Sequence, residues 1–420
     1  MMNRSLINRI SLNAQLVCPA VLAAACLALP QSVAAQTVPS GSASTASKET
    51  ALAAPPEGAP PAPPASNYRT QYNGFVDGYY LFQFRNPKDV PTISGRVYDV
   101  RNDSPALSMA ELNVFQNPRP HSLGFKVTLV AGDATDVNHY DFGGASGGKG
   151  EARFKNLQQL YGSYSFGTDG SGVDFGKLVT PFGYEQIEAT GNYNYSHSVP
   201  FGLEPTYQFG CRIYTPTHAL GINGLTATAY LTNAIYNTQA AGVQDDNKQP
   251  AYIGQLSYAD PKGRLTVTST LGLAKDKFDI TAFSRTDANA RITLNDNAIT
   301  YALSSTKGLG LNYVYAKFEP NGGPRITLNA VAMYYHQALT PKTGLAIRFS
   351  GSDTRTDGVE FQPKPYEVTA TYQIKPTANF TTFLEYRHDG TNVPDSFLDS
   401  DSQLTQKTQD TFTVGGIFQF

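Results

Sequence analysis

The last ten residues of the chain, 411–420, alternate between an apolar face and a polar face. The apolar face consists of Phe412, Val414, Gly416, Phe418 and Phe420. On the other face, Ile417 is the only apolar residue, among Thr411, Thr413, Gly415 and Gln419. Because successive side chains of a strand point to opposite sides, this period of two predicts a two-faced β-strand. The chain ends on the aromatic ring of Phe420, with no polar residue after it.

The same period recurs along the chain from Tyr72 onward. Clear examples are the segments 110–114, 125–131, 159–166, 225–232 and 366–374. In each segment Val, Leu, Ala, Tyr or Phe alternates with Thr, Ser, Gln, Glu or Lys, whereas helical spacing fails. The sequence therefore predicts an all-β fold.

Strand length and composition favour a membrane barrel over a soluble β-sandwich. The segments run for about ten residues, which is the length that a tilted transmembrane strand needs. Only 16% of residues are charged, and Tyr, Phe and Gly are abundant, although Trp is absent. No apolar run after the first 35 residues is long enough for a membrane helix. We therefore predict one closed antiparallel transmembrane β-barrel, with a secreted soluble β-protein as the other possibility.

The barrel should contain about 16 strands. Roughly 350 residues are available, and a strand with its share of turns takes about 22 residues. Fourteen strands is the alternative, since the pattern between Lys275 and Asn295 is ambiguous. Polar stretches at 133–151, 183–205, 233–249 and 389–409 read as long loops, and Asp260–Gly263 and Lys307-Gly308 read as tight turns.

The N-terminal residues read as export and linker segments. Arg4 and Arg9 precede the apolar run 16–29 and the small residues 33–35, which is typical of a cleaved signal peptide. Residues 36–71 are rich in Pro, Ala and Ser and predict a disordered linker, so the barrel should occupy 72–420. Two of the three cysteines leave with residues 1–35, so Cys211 has no partner for a disulfide.

A motif in the first half of the chain carries a family resemblance. The segment VDFGKLVTPFGYE at 173–185 is followed by NYNYS at 192–196 and EPTYQFG at 204–210. Together with GFVDGYYLFQFRNP at 74–87, these segments resemble the β-barrel porin-2 (OmpL-like) family of Gram-negative outer-membrane proteins. The terminal strand ending in Phe420 likewise resembles the signature that the barrel assembly machinery recognises. His197 departs from the family pattern, in which an Arg follows the Ser.

The resemblance implies an outer-membrane porin that lets small hydrophilic solutes or ions diffuse passively. The alternative is a structural or adhesin-like barrel plugged by its own loops. Implied partners are outer-membrane lipid, the assembly machinery and, in a possible homotrimer, other copies of the chain. The net charge of −2 leaves no basic patch for nucleic acid.

Alternation places charged side chains on the face opposite the lipid. The candidate pore-lining residues are Asp77, Glu111, Lys126, Arg212, Arg348, Glu367, Glu385 and Arg387. Rings of such charges would bias ion selectivity, or they would pair across neighbouring strands. The aromatic loop 184–207 either folds inward and narrows the pore or covers the rim.

Signals of catalysis or metal binding are weak. Ser196-His197 suggests a hydrolase pair, but one dipeptide supplies neither an acid partner nor an oxyanion hole. Gly143–Gly150 lacks the Ser or Thr of a phosphate loop. Asp133, Asp136 and Asp141 show no calcium-loop spacing, and the histidines show no zinc spacing. We therefore predict no enzyme activity, no cofactor and no metal site.

Overall fold

The protein is described from a computed structural model that covers residues 68–138, 156–216, 218–236, 249–280 and 285–420. The predicted signal peptide and all but the last residues of the predicted linker lie outside these ranges, as do Gly143–Gly150 and Asp141. The first strand begins at Gln71.

Sixteen strands form one closed antiparallel barrel, which confirms the predicted fold class and excludes fourteen strands. The first eight are β1 (Gln71–Gln83), β2 (Pro105–Gln116), β3 (Leu123–Ala131), β4 (Leu157–Ser165), β5 (Gly172–Val179), β6 (Tyr207–Tyr214), β7 (Leu225–Thr232) and β8 (Ala251–Ala259). The others are β9 (Leu265–Ile280), β10 (Arg285–Ala302), β11 (Lys307–Pro320), β12 (Ile326–Thr340), β13 (Thr343–Thr356), β14 (Tyr366–Thr377), β15 (Phe380–Gly390) and β18 (Thr408–Gln419).

The remaining elements are short. A two-stranded hairpin of β16 (Phe397–Leu398) and β17 (Leu404–Gln406) lies between β15 and β18, and α1 (Asp133–Asn138) follows β3. Short 3-10 turns occur at Ala189–Gly191, Phe201–Leu203 and Ala219–Gly221. Among the described residues, no helix has the length and apolarity needed to cross a membrane.

The last strand closes the barrel against the first. β18 pairs with β1 from Phe75 opposite Gln419 to Gln83 opposite Thr411. The backbones of Gly74 and Phe420 exchange two hydrogen bonds of 3.0 and 2.9 Å. This pairing satisfies both edges of the sheet, as a barrel in lipid requires.

Apolar and polar residues separate across the barrel wall. On β18 the side chains of Phe412, Val414 and Phe418 are exposed on the outside, whereas Thr411 and Thr413 are buried inside. Ile417, the apolar exception, points inward and packs in the interior with Tyr195 and Phe383. The outer face thus carries an apolar band of the kind that a transmembrane barrel presents to lipid.

Long and short connections lie at opposite ends of the barrel. The start of β1 and the end of β18 lie at the same end of the barrel as the tight turns. One of these turns is Asp260–Gly263, where the Gly263 amide donates to the Asp260 carbonyl at 2.7 Å. The turn predicted at Lys307-Gly308 lies at 303–306 instead, because Lys307 already begins β11. The ambiguous region before Asn295 is a single long strand pair, β9 with β10.

Candidate functional site

The connection between β5 and β6, residues 180–206, folds into the barrel and is called the inner loop below. It leaves the wall at Pro181, which has no N–H to offer the sheet and therefore ends β5. The Pro181 carbonyl accepts hydrogen bonds from Gln255 on β8 at 2.8 Å and from Thr270 on β9 at 3.1 Å. Gly183 then adopts a φ of +108°, a conformation that favours glycine and turns the chain inward.

Two apolar side chains near the ends of the inner loop anchor it to one half of the wall. Phe182 and Leu203 are buried in a cluster with Ile235 and Tyr236. The same cluster contains inward residues of β8 to β12, namely Ala251, Ile253, Ala274, Ala290, Ile292, Leu294, Val314, Ala316, Phe318, Leu328 and Ala330. A Cβ on Gly272 would lie 2.8 Å from the Phe182 ring, so only glycine leaves room for this ring.

The middle of the inner loop is held by the opposite half of the wall, which consists of β13 to β15. Arg348 on β13 is the central residue of this half. Its Nη1 donates to Glu185 of the loop and its Nε to Glu367 of the wall, both at 2.8 Å. Its Nη2 donates to the Ser196 hydroxyl at 3.1 Å. Arg348 and Glu367 are fully buried, so this group of charges is out of water and depends on its internal pairing.

Glu385 and Arg387, which follow on β15, bind the loop backbone. The Glu385 carboxylate accepts from the amides of Tyr195 at 2.7 Å and Ser196 at 3.0 Å. Arg387 donates to the His197 carbonyl at 2.6 Å. Because charged groups contact backbone atoms, the chain path of the loop is fixed independently of most of its side chains.

Asp77 on β1 is a further wall residue that binds the inner loop. The Tyr195 hydroxyl donates to its carboxyl at 2.8 Å. A Cβ on Gly415 would lie 2.5 Å from the Tyr195 ring, so the glycine in β18 makes room for this contact.

Between these anchors the inner loop crosses the lumen. Gln158 on β4 donates to Glu188 at 2.9 Å, and Gln373 on β14 donates to the Tyr193 carbonyl at 2.7 Å. The 3-10 turn Ala189–Gly191 lies between the two contacts, and Thr190 and Gly191 keep part of their surface exposed. The loop therefore narrows the lumen, which decides between the two alternatives left open for it.

Two stacked ring pairs reinforce the loop along β12. Tyr184 stacks on Tyr334 with centroids 4.2 Å apart, and Tyr193 stacks on His336 at 3.7 Å. A Cβ on Gly310 of β11 would lie 2.2 Å from the Tyr184 hydroxyl. The neighbouring strand β11 thus has no side chain at the position that the Tyr184 ring occupies.

The remaining three candidate pore-lining residues lie on β2, β3 and β6. Glu111 is buried and accepts from Asn113 at 2.6 Å, whereas Lys126 is only half-buried. Arg212 pairs with Asp174 at 2.7 Å and keeps 16% of its side chain exposed. Of the eight predicted residues, Lys126 and Arg212 therefore keep the most contact with solvent, and the others are covered by the inner loop or its partners. A role in lining an open pore stays a prediction.

The residues considered for catalysis or metal binding have other partners. The Ser196 hydroxyl lies between Arg348 and Arg387, at 3.1 and 3.3 Å from their guanidinium nitrogens. His197 contacts the Gln186 carbonyl through Nε2 at 2.7 Å. Asp133 forms two 2.9 Å hydrogen bonds with Arg101. In the part of the chain that the structure describes, no three His, Cys, Asp or Glu side chains converge as a metal site.

Burial shifts the pKa of two loop residues. It lowers the pKa of His197 to about 3, since the ring is packed against Tyr98 and Phe201 and a charged imidazolium would be poorly solvated. Burial also raises the pKa of Glu185, against the opposing attraction of the Arg348 guanidinium. The centre of the loop is thus neutral at position 197, where the family pattern has Arg.

Sequence reasoning about the wall missed the loop residues that complete the site. Glu185 and Ser196 belong to the motif segments 173–185 and 192–196, so the family resemblance carried the available signal. The sequence gave no signal for the role of Phe182 beyond its position after Pro181. A second inward loop, 84–104, supplies buried Arg96, which pairs with Asp99 at 2.7 Å, and its sequence gave no indication of this.

Solved structures with the same fold are outer-membrane barrels. Salmonella typhi OmpF in complex with daunomycin is 12% identical, with a TM-score of 0.55 over 84% of this chain and 98% of that one. The anion-selective porin of Comamonas acidovorans is 14% identical, with a TM-score of 0.53 over 84% and 99%. The trimer form of Vibrio cholerae OmpT is 13% identical, with a TM-score of 0.51 over 84% and 99%. At these identities the likeness establishes the fold alone.

Sequence comparison is more specific about the family. No curated protein sequence matches the chain. The family model described as "Putative beta-barrel porin-2, OmpL-like" matches residues 69–420, which is the whole barrel. The chain therefore belongs to this OmpL-like family of outer-membrane β-barrel porins.

Proposed function

We propose that the protein is a porin through which small hydrophilic solutes or ions diffuse passively across the outer membrane. One observation carries the proposal, namely the uneven burial of the inner wall. Inward side chains at the centre of β13 to β15 are buried under the inner loop, whereas β2, β3, β4 and β6 each also carry an inward side chain that is only half-buried. These half-buried side chains are Asn113, Lys126, Tyr161, Arg212 and Tyr214. A polar passage between this wall and the inner loop is what a diffusion pore requires.

The test is conductance of the purified barrel in a planar bilayer. Stable ohmic steps are expected, and a silent membrane would contradict the proposal. Lys126→Glu and Arg212→Glu should each move the reversal potential in a salt gradient toward cation preference, because each reverses a charge on the half-buried wall. Arg325→Glu, at an exposed position after β11, is the matched control and should leave the potential unchanged.

A loop-plugged structural barrel is the second candidate. It is favoured by the two apolar clusters inside the barrel, which fill much of the space that a wide channel would need. The same bilayer recording separates the two, because a plugged barrel inserts without conducting.

We further propose that outer-membrane lipid and other copies of the chain are partners of the protein. Phe420 would serve as the signal for membrane assembly. The Phe420 ring is half exposed on the outer face beside Gly74, where assembly machinery can contact it. Phe420→Ala should reduce the heat-modifiable, membrane-inserted fraction in cells while refolding in detergent remains normal. Equal loss in both assays would assign Phe420 to stability instead.

A further inference from the structure

Two buried pairs of carboxyl groups join the inner loop to the wall. In each pair one member belongs to the loop and the other to a strand: Glu188 faces Glu111 of β2, and Glu204 faces Asp296 of β10. All four side chains are at least nine-tenths buried. Two facing carboxylates repel each other in a dry site, and they can hydrogen-bond each other only if one of them carries a proton, so the approach of each pair is favoured when it holds one proton.

The other contacts of the first pair orient it for this contact. Gln158 donates to Oε1 of Glu188 at 2.9 Å, and Asn113 donates to Oε1 of Glu111 at 2.6 Å. The Oε2 atoms of both residues are buried and receive no hydrogen bond from an N–H or O–H group of the described residues. The other titratable groups facing the pair are Lys126 of β3 and the Tyr98 phenol of the loop 84–104. Burial raises the pKa of Glu188, which favours the protonated form.

The second pair lies on the other side of the lumen. The Asn312 amide donates to both oxygens of Asp296, at 3.1 and 3.2 Å. The backbone N–H of Gly183 also bonds Asp296, and the Tyr236 phenol faces both acids. Ionisation of both members would therefore place two negative charges together in a dry site, where they repel strongly.

We propose that the Glu188–Glu111 and Glu204–Asp296 pairs are proton-dependent latches that hold the two flanks of the inner loop at low pH and release them at high pH. The inference rests on the proposed porin function and names a regulation of the same constriction. The latches flank residues 195–198, which Arg348, Glu385 and Arg387 hold by hydrogen bonds to backbone atoms and to the Ser196 hydroxyl. Raising the pH therefore loosens the flanks while the centre stays in place.

The absence of natural tryptophan from the chain permits a direct test. A single reporter, Thr190→Trp, stands on the lumen-crossing turn, and its quenching by aqueous acrylamide is measured at pH 5 and pH 9. We expect the quenching constant to rise at least twofold at pH 9. Adding Glu188→Gln and Glu204→Gln should abolish the rise, because a Gln amide donates to the partner carboxylate at either pH. Adding Glu360→Gln, at an exposed position, should leave the rise intact.

Conductance of the Trp-free chain gives an independent measurement. Open-state current noise should increase from pH 5 to pH 9 in the natural sequence and stay constant in the double Gln variant. If neither the quenching constant nor the current noise changes with pH, the latch proposal is wrong, whereas the porin proposal is unaffected. A silent bilayer with pH-dependent quenching would instead reject the porin and keep the latches. Persistence of the pH response in the double Gln variant would also overturn the proposal.

Discussion

The two halves of the barrel interior hold the same loop by different physical means. Strands β8 to β12 present mostly small and aliphatic side chains to Phe182 and Leu203 near the loop ends. Strands β13 to β15 present Arg348, Glu385 and Arg387 to the loop centre. Apolar packing is non-directional and indifferent to pH, whereas buried ionic hydrogen bonds demand fixed positions. The apolar half thus keeps the loop inside, and the charged half decides where its centre lies.

Removing the central charge should produce the largest effect. Arg348→Met leaves Glu185 and Glu367 as buried acids without their cation, which costs about 3–5 kcal/mol. Urea unfolding of the detergent-solubilised barrel should show this loss. Arg355→Met on the same strand is the control, because its pair with Asp353 leaves 70% of the arginine side chain exposed and is worth at most about 1 kcal/mol. Equal effects of the two variants would contradict the central role of Arg348.

Removing an apolar anchor of the inner loop should produce the second-largest effect. Phe182→Ala leaves a cavity beside Ile235 and Gly272 and should cost about 3 kcal/mol, the lower end for a buried phenylalanine, since a loop relaxes more than a strand. The same unfolding assay applies. Phe361→Ala, at an exposed loop position, should change the midpoint little. Stability unaffected by Phe182→Ala would mean that the charged half alone retains the loop.

A smaller effect is expected where the two halves meet at the Tyr184 ring. In Gly310→Ala the new methyl collides with the Tyr184 hydroxyl and displaces the ring from Tyr334, which costs about 1–2 kcal/mol. Single-channel conductance should change along with stability, because Tyr184 belongs to the inner loop that narrows the lumen. Gly254→Ala is the matched control, since a Cβ there has no neighbour within 4 Å.

The smallest effect concerns pH at the loop centre. Below pH about 6.5 the unfolded chain binds a proton at His197, whereas the folded chain does so only near pH 3. The unfolded state therefore gains protons as pH falls, and stability is lost on acidification. Between pH 7.5 and 5.5 the natural chain should lose on the order of 1 kcal/mol more than His197→Gln. Identical pH dependence of the two chains would contradict burial of a neutral imidazole.

Much of the barrel follows from local pattern. The alternation in segments such as 411–420 predicted strand identity, the outward face and barrel closure, because a period of two is a property of each strand separately. The offset at Lys307 and the ambiguity before Asn295 arose where turns are short and strands long, so that no strong turn residue marks the boundary.

The inner loop depended on tertiary structure. Nothing local to Arg348 indicates Glu185 as its partner, since 163 positions separate them along the chain. Alternation placed Arg348, Glu385 and Arg387 on the inner side of the wall but could not reveal that a loop would cover them. The sequence alone determined strands, faces and closure, because these depend on neighbours at fixed spacing. Only the closed barrel decided which charges meet the loop, because closure brings distant strands around one enclosed space.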